Sequence, residues 1–302
     1  MNNDSSASSS KTGLIQAVIT YSIWGFMPLF FKQLQHVSAL EVVAHRIVWS
    51  VGMLLLILWM LGRMDEYRAA LAERRTRNML FFSSFLIAAN WLIYIWAIYH
   101  DQILAASLGY YLNPLLNVVL GALFLGERLR PVQWLCVALA AIGVAVLASE
   151  TLSTIWISFA LALTFGTYGL VRKVAPVGSI PGLTVETTLL FPIALGFAAW
   201  AWFYNASPGF GYDTRTDIYL IAGGAITATP LLLFASAAKK LTLATLGFIQ
   251  YIGPTIQFLL GVFLYKEALT PAHLICFGLI WASLIIYSGD GWLRSRRQAQ
   301  PV

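Results

Sequence analysis

Apolar residues run along this chain in stretches of about 20, broken by short polar segments, and no stretch alternates with the period-two pattern of a half-buried strand. A run of that length crosses a hydrocarbon core of about 30 Å as a helix, which satisfies its own backbone where water is absent. Continuous runs exclude a transmembrane barrel, whose strands alternate between lipid and lumen. The pattern predicts an all-α membrane protein with ten spans, at residues 13–31, 39–61, 79–99, 103–125, 132–149, 153–171, 183–203, 217–237, 242–265 and 272–289. The connections are short except at 62–78 and 204–216. Residues 1–12 are polar and serine-rich and read as a disordered tail, and residues 290–302 as a basic tail.

Part of the pattern occurs twice. Residues 107–131 read SLGYYLNPLLNVVLGALFLGERLRP, and residues 245–271 read TLGFIQYIGPTIQFLLGVFLYKEALTP. Setting Pro114 on Pro254 aligns Tyr111 with Tyr251, Gly121 with Gly261, Glu127 with Glu267, Pro131 with Pro271 and Cys136 with Cys276. Ser107-Leu108-Gly109 meets Thr245-Leu246-Gly247 after a slip of two residues. Fainter echoes pair Trp24-Gly25 with Tyr168-Gly169, and Glu41 with Glu186. The chain is therefore an internal duplication, residues 13–149 and 153–289. Each half has five spans, an odd number, so the second half enters the membrane upside down. Inverted repeats are a signature of transporters that alternate access about a central site.

Composition sharpens the class. Of 302 residues, 59% are hydrophobic and 11% charged, against about 25% charged in a soluble domain. The net charge of +6 has a membrane explanation rather than a nucleic-acid one, because of where it lies. With the N-terminus in the cytoplasm, that side receives Lys11, Arg63, Arg68, Arg74, Arg75, Arg77, Arg128, Arg130, Arg172, Lys173, Lys239, Lys240, Arg294, Arg296 and Arg297. The other side receives Lys32, Arg215 and Lys266, while Arg46 lies inside span 2. That bias predicts cytoplasmic termini. The first apolar run lacks a strong basic flank and a small-residue cleavage site, so it reads as a retained span. Cys136 and Cys276 fall near opposite membrane faces and are expected as free thiols.

Spans 4 and 9 carry matched polar stripes at helical spacing: Tyr110, Asn113, Asn117 and Gly121, and Gln250, Gly253, Gln257 and Gly261. Amides find no partner in lipid, so both stripes should face protein or water. They suit helix packing and the lining of a substrate cavity equally. Pro114 and Pro254 each remove a backbone donor and are candidate hinges. Span 2, reading ALEVVAHRIVWS, is the most polar: Glu41 and His45 share a face, and Arg46 lies about 100° further round and about 10 Å deep. A guanidinium at that depth needs an anion, either Glu41 in a structural or gating pair or a substrate carboxylate that displaces it. His45 reads as a packing residue or as a proton or substrate group. Glu186, near the start of span 7, reads as shallow and solvated or as a proton-coupling group. Asn90, Trp91 and Tyr94 make a polar-aromatic face in span 3, with Thr227, Thr229 and Pro230 in its counterpart, span 8, fit to stack a substrate or to anchor helices. Glu127 and Glu267 read as structural turns whose carboxylates accept N–H bonds at the start of the next helix, with Pro131 and Pro271 at its first position.

There is no phosphate-binding G-x-x-x-x-G-K-[ST], no H-E-x-x-H and no G-x-S-x-G, and the four histidines and two cysteines are scattered. No cofactor or metal is expected, and an intramembrane enzyme would need a metal-binding acidic cluster or a nucleophile–base pair that the chain lacks. The expected partners are a small-molecule substrate, the lipid bilayer and protons as a coupling ion, with no nucleic acid. The segments YSIWGFMPLFFK (21–32), ALEVVAHRIVWS (39–50), NWLIYIWA (90–97), SLGYYLNPLLNVVLG (107–121), YGLVRK (168–173) and GFIQYIGPTIQFLLGVFLYKE (247–267) span nearly the whole chain. Together they resemble the EamA branch of the drug/metabolite transporter superfamily, and more closely its RarD subgroup of chloramphenicol-sensitivity permeases. In the second half the turn KEALTP keeps only Glu, Leu and Pro of GERLRP. The resemblance implies two five-helix halves around a central cavity in a bacterial inner membrane. It also implies movement of small organic solutes, such as amino acids, other metabolites and drugs, often outward. An amphiphile or lipid flippase is the alternative within the transporter class.

Overall fold

The computed structural model describes residues 2–125, 130–150, 152–204, 209–238, 240–241 and 249–298, and no strand occurs among them. The helices are α1 (Asn2–Lys32), α2 (Ala39–Met60), α3 (Met64–Ala72), α4 (Arg74–Tyr99), α5 (Ile103–Leu125), α6 (Pro131–Glu150), α7 (Leu152–Val174), α8 (Ser179–Tyr204), α9 (Thr214–Ala238), α10 (Ile252–Leu259) and α11 (Pro271–Gln298). A π-helical turn, Leu260–Leu264, prolongs α10. Among the described residues nine helices are long and apolar enough to cross a membrane, and Ile252–Leu264 is a shorter apolar helix. The predicted span 242–265 is thus seen from Ile249 on, and Thr245-Leu246-Gly247 lie outside the described residues.

Three boundaries differ from expectation. The helix α1 starts at Asn2, so residues 2–12, expected as a disordered tail, prolong the first span as helix. The segment 62–78, expected as a long loop, contains α3 and the first turn of α4. Gly62, at φ +66°, closes α2 in a left-handed turn, with Arg63 N–H on the Leu58 carbonyl, and the chain re-enters helix at Met64. Span 7 begins at Ser179, four residues before the expected start, which changes the depth of Glu186.

The pairing of helices repeats on exchange of the two halves. α6 packs on α11, α2 on α8 and α5 on α10, and each of these pairs maps onto itself. The pair α5–α7 maps onto α10–α1, α2–α9 onto α8–α4, and α1–α9 onto α7–α4, and all are in contact. Individual residues follow. Equivalent Tyr111 and Tyr251 stack ring on ring, 6.2 Å between centroids. Cys136 Sγ donates to the Ser283 carbonyl at 3.2 Å, and a Cβ on Gly143, the equivalent of Ser283, would meet the Cys276 carbonyl at 3.1 Å. Those contacts make α6 and α11 antiparallel and stagger the two buried, free cysteines by about seven residues, roughly 10 Å. Outward faces carry Trp59, Leu123, Phe124, Phe203 and Ile285, whereas Ser50, Ser83, Asn90, Asn113, Thr227 and Gln257 are buried. A chain solvated by lipid can expose its apolar side chains and must satisfy its polar ones inside.

Candidate functional site

Arg46 sits seven residues into α2 in the middle of five helices and is 4% exposed. Its Nε donates to Thr227 Oγ1 of α9 at 3.0 Å, while Thr227 passes its own proton to the Gly223 carbonyl at 2.7 Å. The guanidinium lies over the ring of Phe31 from α1, 5.1 Å to the centroid, and over that of Trp91 from α4, 4.7 Å away. The Tyr94 ring packs against Phe31 and against Tyr110 of α5. Glu41 is not a partner. Five residues apart, the two side chains point about 140° away from each other around the helix. The Glu41 carboxylate instead accepts the Gly209 N–H at 2.7 Å, where any Cβ on Gly209 would strike both Val37 and that oxygen. Of the two anions considered from the sequence, Glu41 is thus turned away, and cation–π contacts and a hydroxyl surround the guanidinium.

A polar ladder leaves this centre. Tyr110 Oη donates to Asn90 Oδ1 at 3.2 Å, and Asn90 Nδ2 donates to the Leu161 carbonyl and to Thr164 Oγ1, at 3.0 and 2.9 Å. Rings continue from Tyr110 to Phe165 to Tyr168, each step 6.1 Å. Tyr168 Oη donates to Glu186 Oε2 at 3.3 Å, Ser83 donates to Glu186 Oε1, and Arg172 Nε lies 3.8 Å from that same oxygen. Glu186 is fully buried, not shallow. The earlier start of α8 adds a turn above it, and Tyr67 and Ala70 of α3 pack beside Val185. Arg46 and Glu186, each about 10 Å from opposite ends of the bundle, are thus linked through Phe31, Tyr94, Tyr110, Phe165 and Tyr168.

The remaining predicted residues divide. His45 is buried without a hydrogen-bond partner, its ring stacked on Phe210 at 5.1 Å. Asn113 and Gln257 are buried, each with a carbonyl oxygen unpartnered, and Gln257 Nε2 donates to the Trp24 carbonyl at 3.1 Å. Gln250 is half-buried just before α10. Asn117 is exposed, whereas Asn113 before it and Gly121 after it on the same stripe of α5 are buried. Pro114 lies within a continuous α5, and Pro254 accepts from Ser107 Oγ at 2.8 Å, tying α10 to α5. Glu127 lies outside the described residues.

Glu267 corrects the capping expectation. Pro271 does open α11, but the donors at its start turn to Thr270, and Glu267 crosses to the other half of the molecule. There its carboxylate accepts from Ile103 N and Leu104 N at 2.6 and 2.8 Å, at the positive end of the α5 dipole. Lys266, at φ +56°, sets the turn that aims it. Burial pushes the Glu267 carboxyl up to about 7, outweighing the two N–H donors and nearby Lys32, which favour the charged form. Lys32 also pairs with Asp101 and lies over the Tyr265 ring.

Phe31, Phe165, Ser83 and Arg172 were not singled out from the sequence as site residues. Tyr168 and Arg172, one helical turn apart at the end of α7, precede an intramembrane glutamate on α8, and that pattern is the signal for the Glu186 cluster.

A profile of the EamA-like transporter family matches residues 11–149. An uncharacterized transporter of Pseudomonas aeruginosa is 44% identical over 96% of this chain and 98% of its own. Protein RarD of Escherichia coli is 38% identical over 97% and 99%. The chloramphenicol-sensitive protein RarD of Pseudomonas aeruginosa is 30% identical over 96% and 98%. A crystal structure with 18% identity superposes with a TM-score of 0.60 over 91% of this chain and 96% of that one, a likeness of fold alone. With relatives aligned end to end at these identities, the chain belongs to the EamA-like transporter family, within its RarD branch, and is a multi-pass membrane transporter.

Proposed function

We propose that the protein is a secondary transporter of the bacterial inner membrane that moves small organic solutes, amino-acid-like metabolites or drugs, by alternating access around Arg46. One observation carries this reading: an enclosed polar-aromatic site assembled from α1, α2, α4 and α5 of one half and α9 of the other, at a depth lipid cannot hydrate. The charge bias along the sequence supports cytoplasmic termini. Glu186, buried at the far end of the ladder, is the proposed proton-coupling group.

A second reading, amphiphile flipping, draws on an open apolar patch on the flank of the bundle, formed by Phe26, Ile256, Leu259, Leu260, Phe263 and Leu264. The two readings part in proteoliposomes assayed for uptake of labelled phenylalanine and chloramphenicol under a pH gradient, and for translocation of a fluorescent lipid. Saturable solute uptake is expected, falling at least about tenfold in Arg46→Ala, roughly 1.4 kcal/mol of lost interaction. In Glu186→Gln the response to the gradient should vanish. Lipid translocation without solute uptake supports the second reading, and inactivity in both assays contradicts both.

A further inference from the structure

We propose that Arg46 and Tyr94 form an anion-recognition site that seats the carboxylate, or a comparable anionic group, of an organic acid with an aromatic or apolar body. The inference rests on the transporter reading and names the substrate class it serves.

Arg46 is buried and forms no ion pair with a described residue. Phe31 and Trp91 take the flat faces of its guanidinium, so only the edge remains available for hydrogen bonds. Along that edge Nε is used by Thr227, while Nη1 has no partner. Tyr94 Oη is equally buried and equally without a partner, and its ring packs on Phe31, the ring that the guanidinium covers, and on Tyr110. The cation–π contacts offset only part of what taking the cation out of water costs. An enclosed positive charge with an open donor is therefore incomplete as scaffolding.

The chemistry of the open atoms sets the ligand. Nη1 and Tyr94 Oη are donors, and the hydroxyl proton of Thr227 and the carbonyl of Asn90 are already engaged. The nearest carboxylate along α2, Glu41, is turned away and held by Gly209. A cationic ligand thus meets a like charge, and a neutral one leaves the guanidinium uncompensated. An anion accepts from both donors and neutralises it. Around this point the walls are the rings of Phe31, Trp91, Tyr94 and Tyr110, which suit an apolar body.

Three isosteric probes separate charge from shape: phenylacetate, phenylacetamide and phenethylamine, added to the full chain in detergent during thermal unfolding. Phenylacetate alone should raise the melting temperature with concentration, because it binds the folded state. Arg46→Gln should melt at or above the parent temperature without ligand and lose the phenylacetate response. Tyr94→Phe, which removes one hydroxyl, should weaken the response about tenfold in concentration. An equal shift with the amide or the amine, a shift that survives in Arg46→Gln, or no phenylacetate response up to millimolar concentration overturns the proposal. Should Arg46→Gln not fold, an unchanged phenylacetate response in Tyr94→Phe does the same. Phenylacetate binding with no solute uptake in proteoliposomes would end the transporter reading and leave the site standing. Uptake of an uncharged solute, unaffected by Arg46→Gln, would do the reverse.

Discussion

Glu267 joins the two halves through a single carboxylate on the first turn of α5. Its pKa of about 7, raised by burial, means that between about pH 4.5 and 7 the folded protein holds a proton that the unfolded chain has released. Its contribution to stability is complete below pH 4.5 and is lost as pH rises through 7. The melting temperature of the parent should therefore fall more steeply between pH 5 and pH 8 than that of Glu267→Gln. Equal slopes in the two proteins would show that the group titrates elsewhere. At this scale the sequence was partly legible. Arg46 stood out because a guanidinium is costly at that depth, and Thr227 because it lies on the counterpart span. Their partnership did not, since contacts across helices leave no trace in spacing along one. For the same reason Glu41 was read as the nearest anion, although 140° of helix separates the two side chains. Glu186 was misjudged through its boundary: four residues of α8 and the cover of α3 turned a shallow group into a buried one.

Elements meet where small residues let their backbones approach. A Cβ on Gly109 of α5 would lie 2.9 Å from the Ser158 carbonyl and 3.0 Å from Leu161 Cβ, so α5 and α7 would have to separate. Gly52 of α2 has nothing within 4 Å of the same added atom. Gly109→Ala should cost about 1–3 kcal/mol through overpacking, and Gly52→Ala should be neutral or stabilise by up to about 1 kcal/mol through helix propensity. Thermal unfolding in detergent checks both, and a reversed order contradicts the packing of α5 on α7. Most helices were legible from apolar run length, because the bilayer demands it. The helix α3 was not, because nine residues with mixed polarity carry no such signal. Nor was the π-helical turn after α10, closed by the bond from Tyr265 N to the Leu260 carbonyl and followed by one from Glu267 N to the Gly261 carbonyl across the left-handed Lys266.

Across the whole molecule, the duplication read from Pro114 and Pro254 reappears as a helix-pairing scheme unchanged on exchange of halves, down to Tyr111 on Tyr251 and to Cys136 against Ser283 where Cys276 meets Gly143. What pattern alone could not supply is that the centre between the halves is packed shut. Arg46, Asn90 and Tyr94 are all at most 5% exposed, so a solute reaches them only if the helices part. Alternating access requires that they part toward each side in turn. Cys136→Ala with Cys276→Ala should retain transport, since both thiols are buried and unbridged. In that background a single Thr227→Cys places one thiol beside Arg46. Its labelling by a membrane-impermeant thiol reagent, in right-side-out and inside-out vesicles, tests the central claim most directly. The account predicts modification from both sides, slowed in both by phenylacetate; modification from one side only, or from neither, would contradict it.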